Sequence, residues 1–400
     1  RSNIDYIQIR EKIMTDIYFR TDGNSIIATG HIMRCLTIAR ACVKRSAKVK
    51  FIVSDEESLT LMQERFAFLQ EFEVLCLHSD YTNLTGEIPV LSALPAQEES
   101  AQPSSVTHCN TVSPENKPHK PWIFVDSYYA TPDYLLSLRD SFRVAYLDDL
   151  REFDCPVDLV INYDTDEDCA YYAKADQQLL GLRYTPLREQ FANTAYTVRP
   201  AVKDVLLSTG GTDPYAIAEH LLYSVYDETA LTQDIRPLQS LHYHILTSSS
   251  NTRYDILSAY AQKHPNIHIH EGIADVASLM ASCDLAVCAG GTTLCEVCAV
   301  GVPAISYLMA DNQRTAVNTY ASLGLIPYAG DIRTAAVPRY TACTESPDFL
   351  PAVNPDAISS ILSFMTRMSQ DASKRQKSSQ SMRAFLNGDG ADQIACALVP

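Results

Sequence analysis

The sequence predicts an α/β protein of two doubly wound, Rossmann-like domains that face each other across a cleft. Three observations predict it. Short apolar runs alternate with segments of helical periodicity, the pattern of βα units in a parallel sheet. The alternation occurs twice, on either side of a polar stretch at 193–203, NTAYTVRPAVK, that reads as an inter-domain linker. The length, 400 residues, exceeds one ordinary core and suits about two to three domains. In such sheets ligands sit outside the carboxyl ends of the strands, which places the expected site in the cleft.

Each element follows from its own pattern. Residues 1–13, RSNIDYIQIREKI, carry no motif and read as an N-terminal extension before a folding unit that starts at Met14. The first domain is expected over 14–195. Its strands are DIYFR (16–20), KVKFIVSD (48–55), EVLCL (73–77), PWIFVDS (121–127), FRVAYLDD (142–149) and VDLVINY (157–163), with helices at 30–45 and 58–69. Residues 94–121, rich in Pro, Ser, Asn, Thr and Glu without periodicity, read as an exposed, flexible insertion. The second domain is expected over 200–372. Its strands are DVLLS, HYHILTS (242–248), NIHIH (266–270), DLAVC and VPAISY (302–307). A C-terminal helical segment is expected over 373–400.

Composition narrows the function. With 32 Lys and Arg against 48 Asp and Glu the net charge is −16, which argues against a nucleic-acid partner because tracking phosphates needs a basic face. No run reaches about 18 apolar residues, so no membrane insertion is expected. The 12 cysteines are too sparse for a disulfide scaffold, and a reducing cytoplasm fits them best. Cys283, Cys288, Cys295 and Cys298 lie on a strand and the following helix and read as small buried hydrophobes rather than a zinc site. His242, His244, His268 and His270 alternate along strands and read as structural or solvent-facing. Neither a metal nor a cofactor is expected, and the oligomeric state is left open.

Three strand-to-helix turns can carry chemistry. In FRTDGNSIIATGHIMR (19–34) a polar loop leads to Gly30-His31 at a helix start. Gly30 lets a ligand approach closely, and the positive helix end disfavours imidazolium, leaving His31 a neutral base. Asp22 is near enough in sequence to orient it. The alternative is a first-turn histidine without a role. In STGGTDP (208–214), Gly210 and Gly211 precede an Asp-Pro helix start, either an anion-accepting turn or an ordinary turn capped by Asp213. In AVCAGGTTLCEVCAVGVP (286–303), Gly290, Gly291, Thr292 and Thr293 direct amides and hydroxyls at one spot that suits a diphosphate, and Glu296, a turn further, can accept from a ribose diol. Two weaker features are Tyr128 in DSYYA and the ADNQ turn (310–313), whose Asn312 and Gln313 can contact sugar hydroxyls.

These segments in this order, with VDSYY and YLDD between them, resemble the UDP-sugar hydrolases of the pseudaminic acid pathway, a family with relatives in spore-coat polysaccharide synthesis. The likeness runs from about Met14 to the C-terminus, broken at 94–121 and at 335–350. It implies the glycosyltransferase-B architecture and metal-free hydrolysis of UDP-2,4-diacetamido-2,4,6-trideoxy-β-L-altropyranose to UDP and free sugar. It implies a catalytic base at His31 and a catalytic role for Tyr128. It places UDP on Gly291, Thr292, Thr293 and Glu296, with uracil at the backbone of Ile273. Arg20 and Arg34 flank the Gly-His motif and join the expected substrate-binding set. Cys295 departs from members that carry Asn there.

The expectation is therefore a metal-independent UDP-sugar hydrolase that inverts the anomeric carbon, in nonulosonic acid or surface-polysaccharide synthesis. The alternative is a UDP-sugar-dependent glycosyltransferase with a carbohydrate or lipid-linked acceptor. A non-catalytic nucleotide-sugar-binding subunit is a further rival.

Overall fold

The computed structural model describes residues 15–24, 27, 30–65, 72–101, 120–163, 169–229, 232–248, 250–334 and 350–400. The expected extension at 1–13 and residues 102–119 of the expected insertion lie outside them. So do residues 335–349, where the resemblance breaks. The chain forms two compact units. The first runs to Leu180 and takes back Ala391–Pro400, while the second runs from Gly181 to Gly390.

The first unit carries β1 (Asp16–Thr21), α1 (Gly30–Lys44), β2 (Lys48–Val53), α2 (Glu56–Arg65), β3 (Glu73–Cys76), α3 (Ile88–Ala101), β4 (Trp122–Asp126), α4 (Pro132–Leu138), β5 (Arg143–Leu147), β6 (Leu159–Asn162) and β7 (Gln177–Leu180). Its strands form a seven-stranded sheet in the order β3-β2-β1-β4-β5-β6-β7, and all pairs are parallel. Helices cover both faces, so β4 is buried at every position, as continuous apolar runs in parallel sheets require. The two-residue period divides the side chains. Phe19, Phe51 and Phe124 join α1's Ile32, Leu36 and Ala39 on one face. Tyr18, Ile52, Ile123 and Val125 join α4's Leu135 and Leu138 on the other.

The second unit carries α5 (Glu189–Asn193), β8 (Asp204–Ser208), α6 (Ile217–Tyr226), β9 (His242–Thr247), α7 (Tyr254–Lys263), β10 (Ile267–Glu271), α8 (Val276–Ser282), β11 (Leu285–Ala289), α9 (Thr292–Val300), β12 (Ala304–Leu308), α10 (Arg314–Ser322), β13 (Tyr328–Asp331), α11 (Pro355–Gln370) and α12 (Ala372–Phe385). Its six strands run β10-β9-β8-β11-β12-β13. The last helix, α13 (Gly390–Leu398), buries Ala391, Ile394, Ala395 and Leu398 in the core of the first unit. Both units are Rossmann-like, with doubly wound parallel sheets.

Each sheet has one place where the winding reverses: between β1 and β4 in the first unit, and between β8 and β11 in the second. Ligand sites in open α/β sheets lie at such switch points. The turns after these strands are the ones the sequence singled out.

Several expectations differ from the structure. Residues 94–101 are not an irregular insertion. They complete α3, which contains Pro95; the proline removes one backbone donor, and the helix lacks a clear apolar stripe, so periodicity missed it. The units divide at Leu180/Gly181 rather than in the 193–203 stretch, because Leu182, Leu187 and Phe191 bury with α9's Leu294 and Val297. The expected C-terminal segment is two helices that belong to different units. The short strands β7 and β13 were not anticipated. His242 faces His268 and His244 faces His270 as stacked pairs across β9 and β10.

Candidate functional site

In the first unit the Gly-His turn meets the ends of β4 and β5. Gly30 opens α1 and His31 follows in its first turn, 4% exposed. Asp126 closes β4, and its Oδ1 lies 3.3 Å from His31 Nδ1. Arg34, one turn after His31, grips the same carboxylate with two donors, Nε to Oδ2 at 2.6 Å and Nη2 to Oδ1 at 2.5 Å. Its Nη1 reaches Tyr163 Oη and Asp149 Oδ2, each at 2.7 Å. The Cys35 thiol donates to Asp126 Oδ2 at 3.4 Å. Burial pushes the Asp126 carboxyl up, but the charges of Arg34 and His31 outweigh it and hold the group below its ordinary value. Asp149 goes the other way: burial and Asp126 raise it against the pull of Arg34.

Asp126 thus fixes the imidazole through Nδ1. The opposite nitrogen, Nε2, is buried with no hydrogen-bond partner among the described residues. Buried polar atoms are nearly always paired, so an orphaned one calls for an explanation, a catalytic role among them. The Tyr128 ring stands edge-on to the imidazole, 4.4 Å between centroids and 80° between planes, and is itself 43% exposed. The orientation is that of a general base held by a carboxylate.

Two expected residues are engaged elsewhere. Asp22 does not orient His31. It accepts from Arg20 Nη1 and the Ser54 amide, each at 2.6 Å. Arg20, expected at the substrate, is fully buried. Its Nε and Nη2 bind Glu87 at 2.8 and 3.0 Å, and Nη2 also reaches Ser54 Oγ. Tyr134 Oη donates to Glu87 as well. Burial works against the Arg20 cation, but Asp22 and Glu87 raise it above its ordinary value. This cluster ties the end of β1 to the residue after β2, to Glu87 just before α3 and to Tyr134 of α4. Arg34 likewise spends its donors on Asp126, Asp149 and Tyr163, so its place is to hold the site. Gly30 is not crowded: a Cβ there would meet nothing within 4 Å.

In the second unit the two glycine turns flank the switch point and differ in kind. After β8, Gly210 adopts a left-handed φ of +87°, and Gly211 is exposed. Asp213 then takes the α6 amides of Ile217 and Ala218 at 2.9 and 3.0 Å. That helix end is filled by its own carboxylate, the capping alternative rather than an anion site. After β11, α9 begins at Thr292 with Gly291 as N-cap and no side-chain cap. Of its first-turn amides, that of Leu294 donates to Gly291 O at 2.9 Å; those of Thr292 and Thr293 open the helix, where backbone donors can take an anion. Gly290 is required by packing, since a Cβ would strike Val317 Cγ1 and approach Gln313 Cβ to 3.1 Å.

Glu296 lies a turn inside α9, its side chain 14% exposed, with Arg188 Nη2 at 3.5 Å. Burial raises its carboxyl and Arg188 opposes the shift. Gln313 does not offer its amide oxygen outward; it accepts from the Met309 amide at 3.2 Å. Asn312 is exposed, and Ile273 half-buried in the β10–α8 connection. The four cysteines at 283, 288, 295 and 298 are buried in the core beside α9.

Sequence reasoning missed the roles of Asp126, Asp149, Cys35, Glu87 and Arg188. The signal for Asp126 was present: a carboxylate ending a wholly apolar strand beside the winding reversal. Arg188 gave none, since only the tertiary fold brings it to α9.

No family model matches the chain. Among curated proteins, the spore coat polysaccharide biosynthesis protein SpsG of Bacillus subtilis is 26% identical over 135 residues, 34% of this chain and 38% of that protein. The UDP-N-acetylglucosamine–N-acetylmuramyl-(pentapeptide) pyrophosphoryl-undecaprenol N-acetylglucosamine transferase of an Exiguobacterium strain is 26% identical over 157 residues, 35% of this chain and 44% of that protein. Each match therefore spans less than half of the relative. Among solved structures, Acinetobacter baumannii MurG superposes with a TM-score of 0.57 at 12% identity, covering 96% of this chain and 99% of that one. Arabidopsis thaliana UGT89C1 complexed with UDP-L-rhamnose gives 0.54 at 12% identity, covering 97% and 100%. These likenesses establish the fold. That fold is of the glycosyltransferase-B type. The spore-coat relative agrees with part of the expected resemblance, whereas the expected hydrolysis is corrected: the curated relative whose name states a reaction is a transferase.

Proposed function

We propose that the chain is a UDP-sugar-dependent glycosyltransferase. The single observation that carries the chemistry is His31, with Nδ1 on Asp126 and Nε2 buried without a partner among the described residues. In this reading Nε2 takes the proton of an acceptor hydroxyl on a carbohydrate or lipid-linked carbohydrate. The acceptor oxygen attacks the anomeric carbon, and the bond from that carbon to the diphosphate oxygen breaks. UDP leaves with the electron pair. A single displacement of this kind inverts the anomeric carbon. Asp126 stabilises the imidazolium that forms, and Arg34 keeps Asp126 ionised and in place.

The donor's diphosphate belongs to the second unit, on the first-turn amides and threonine hydroxyls of α9, where positive potential comes from backbone rather than formal charge. Glu296 accepts from the ribose hydroxyls. The names of the similar proteins support UDP as the nucleotide, and SpsG and the undecaprenol-linked transferase support a role in surface-polysaccharide synthesis.

The test separates the two halves of the reading. His31→Gln should lower kcat by about 10²–10⁴-fold, the usual contribution of one general base, with UDP affinity by calorimetry unchanged. Full turnover in that variant would remove His31 from the mechanism.

A further inference from the structure

We infer that Glu56, Cys76 and His78 form a binding site for a divalent transition-metal ion of the zinc class, with a fourth position open to water. Nothing in the proposed transfer reaction uses these residues, so the inference stands apart from that reading. One oxygen, one sulfur and one nitrogen from the three side chains lie within 4.8 Å of one another. Cys76 Sγ is 3.8 Å from His78 Nδ1, and that nitrogen is 3.5 Å from Glu56 Oε1. Zinc bonds of about 2.3 Å to sulfur and about 2.0–2.2 Å to nitrogen and oxygen, set at tetrahedral angles, put ligand atoms about 3.3–3.6 Å apart. The two spacings to His78 match these edges to within a few tenths of an ångström; Cys76 and Glu56 lie within 4.8 Å of each other, and rotation of the exposed Glu56 side chain supplies the closing movement. Thiolate with imidazole selects zinc over the hard cations, and the carboxylate completes a mixed set of a catalytic type.

The bland alternative is a surface His–Glu pair beside a cysteine. Those side chains are 68% and 66% exposed, and a pair so exposed contributes little to stability. It does not by itself gather three ligands. The backbone does. Glu56 is the first residue of α2 and Cys76 the last of β3. Two backbone bonds, Leu77 N to Val53 O and Ser79 N to Ser54 O, each 2.9 Å, pin the turn between them to β2 and the residue that follows it. His78 within that turn is held at a φ of +53°, a left-handed conformation uncommon for non-glycine residues. The two longest-range ligand directions are thus set before any ion arrives.

The experiment is a cobalt(II) titration of the metal-stripped, reduced full chain, read by the thiolate-to-cobalt charge-transfer absorption. One equivalent per chain is expected, with the band abolished in Cys76→Ser. Affinity should fall by roughly tenfold or more in His78→Ala, since even a lost outer partner of a ligand costs about 10–100-fold. A His242→Ala/His268→Ala variant should keep the band. Glu56 and His78 are exposed, and unchanged melting curves will show that these variants fold. Absence of the band in the wild type, or its survival in Cys76→Ser through exposed Cys169 or Cys396, would overturn the site.

Discussion

Asp126 occupies Nδ1 of His31 and leaves Nε2 without a partner among the described residues. The neighbouring charges serve this arrangement: Arg34 neutralises Asp126, and Asp149 takes Arg34's remaining donor. Asp213 offers a second residue-scale consequence, in stability. Burial raises its carboxyl to about 6, against the Ala218 and Ile217 amides that pull it down. Its native pKa lies above the unfolded one, so its contribution is complete below pH ~4 and is lost as pH rises through ~6. Relative to Asp213→Asn, the wild type should lose about 2 kcal/mol of unfolding free energy between pH 4.5 and 7.5. Urea denaturation of both proteins across that range checks it, and a flat difference would contradict the raised pKa.

At the scale of elements, the turns after β1 and β11 show what sequence patterns carry. The strands were legible because a doubly covered parallel sheet demands unbroken apolar runs, as in WIFVD. The helix starts were legible because glycine, histidine and threonine stand at them. What was not legible lies in long separations: Arg20 meets Glu87 across 67 positions, and Arg34 meets Asp126 across 92. An arginine next to a motif looks like a ligand contact until its carboxylate partner is placed. The same limit applies to the glycines, whose pattern did not tell packing from ligand access. Gly290→Ala would drive its methyl into Val317 and Gln313, and should destabilise the second unit by about 1–3 kcal/mol. Gly30→Ala meets nothing, and its stability should stay within about 0.5 kcal/mol of wild type. Thermal melts of the two variants test the contrast; equal losses would show that Gly30 is a packing glycine after all.

At the scale of the whole molecule, two parallel sheets each reverse their winding once, and each reversal presents a different chemistry. The first offers a carboxylate-held imidazole, the second an uncapped helix start beside a partly buried carboxylate. In the proposed reading, an acidic chain of net charge −16 holds an anionic donor through backbone amides, which a charge count does not register. No helix among the described residues is long and apolar enough to cross a membrane. The family resemblance in the motifs led to hydrolysis, because water and an acceptor hydroxyl require the same base and the same diphosphate site. The central claim, transfer rather than hydrolysis, is tested most directly by UDP release from a panel of UDP-sugars with and without carbohydrate and polyprenyl-linked acceptors. The account predicts slow release alone, with acceptor-dependent acceleration and the sugar recovered on the acceptor. Equal rates without acceptor, with free sugar as product, would contradict it.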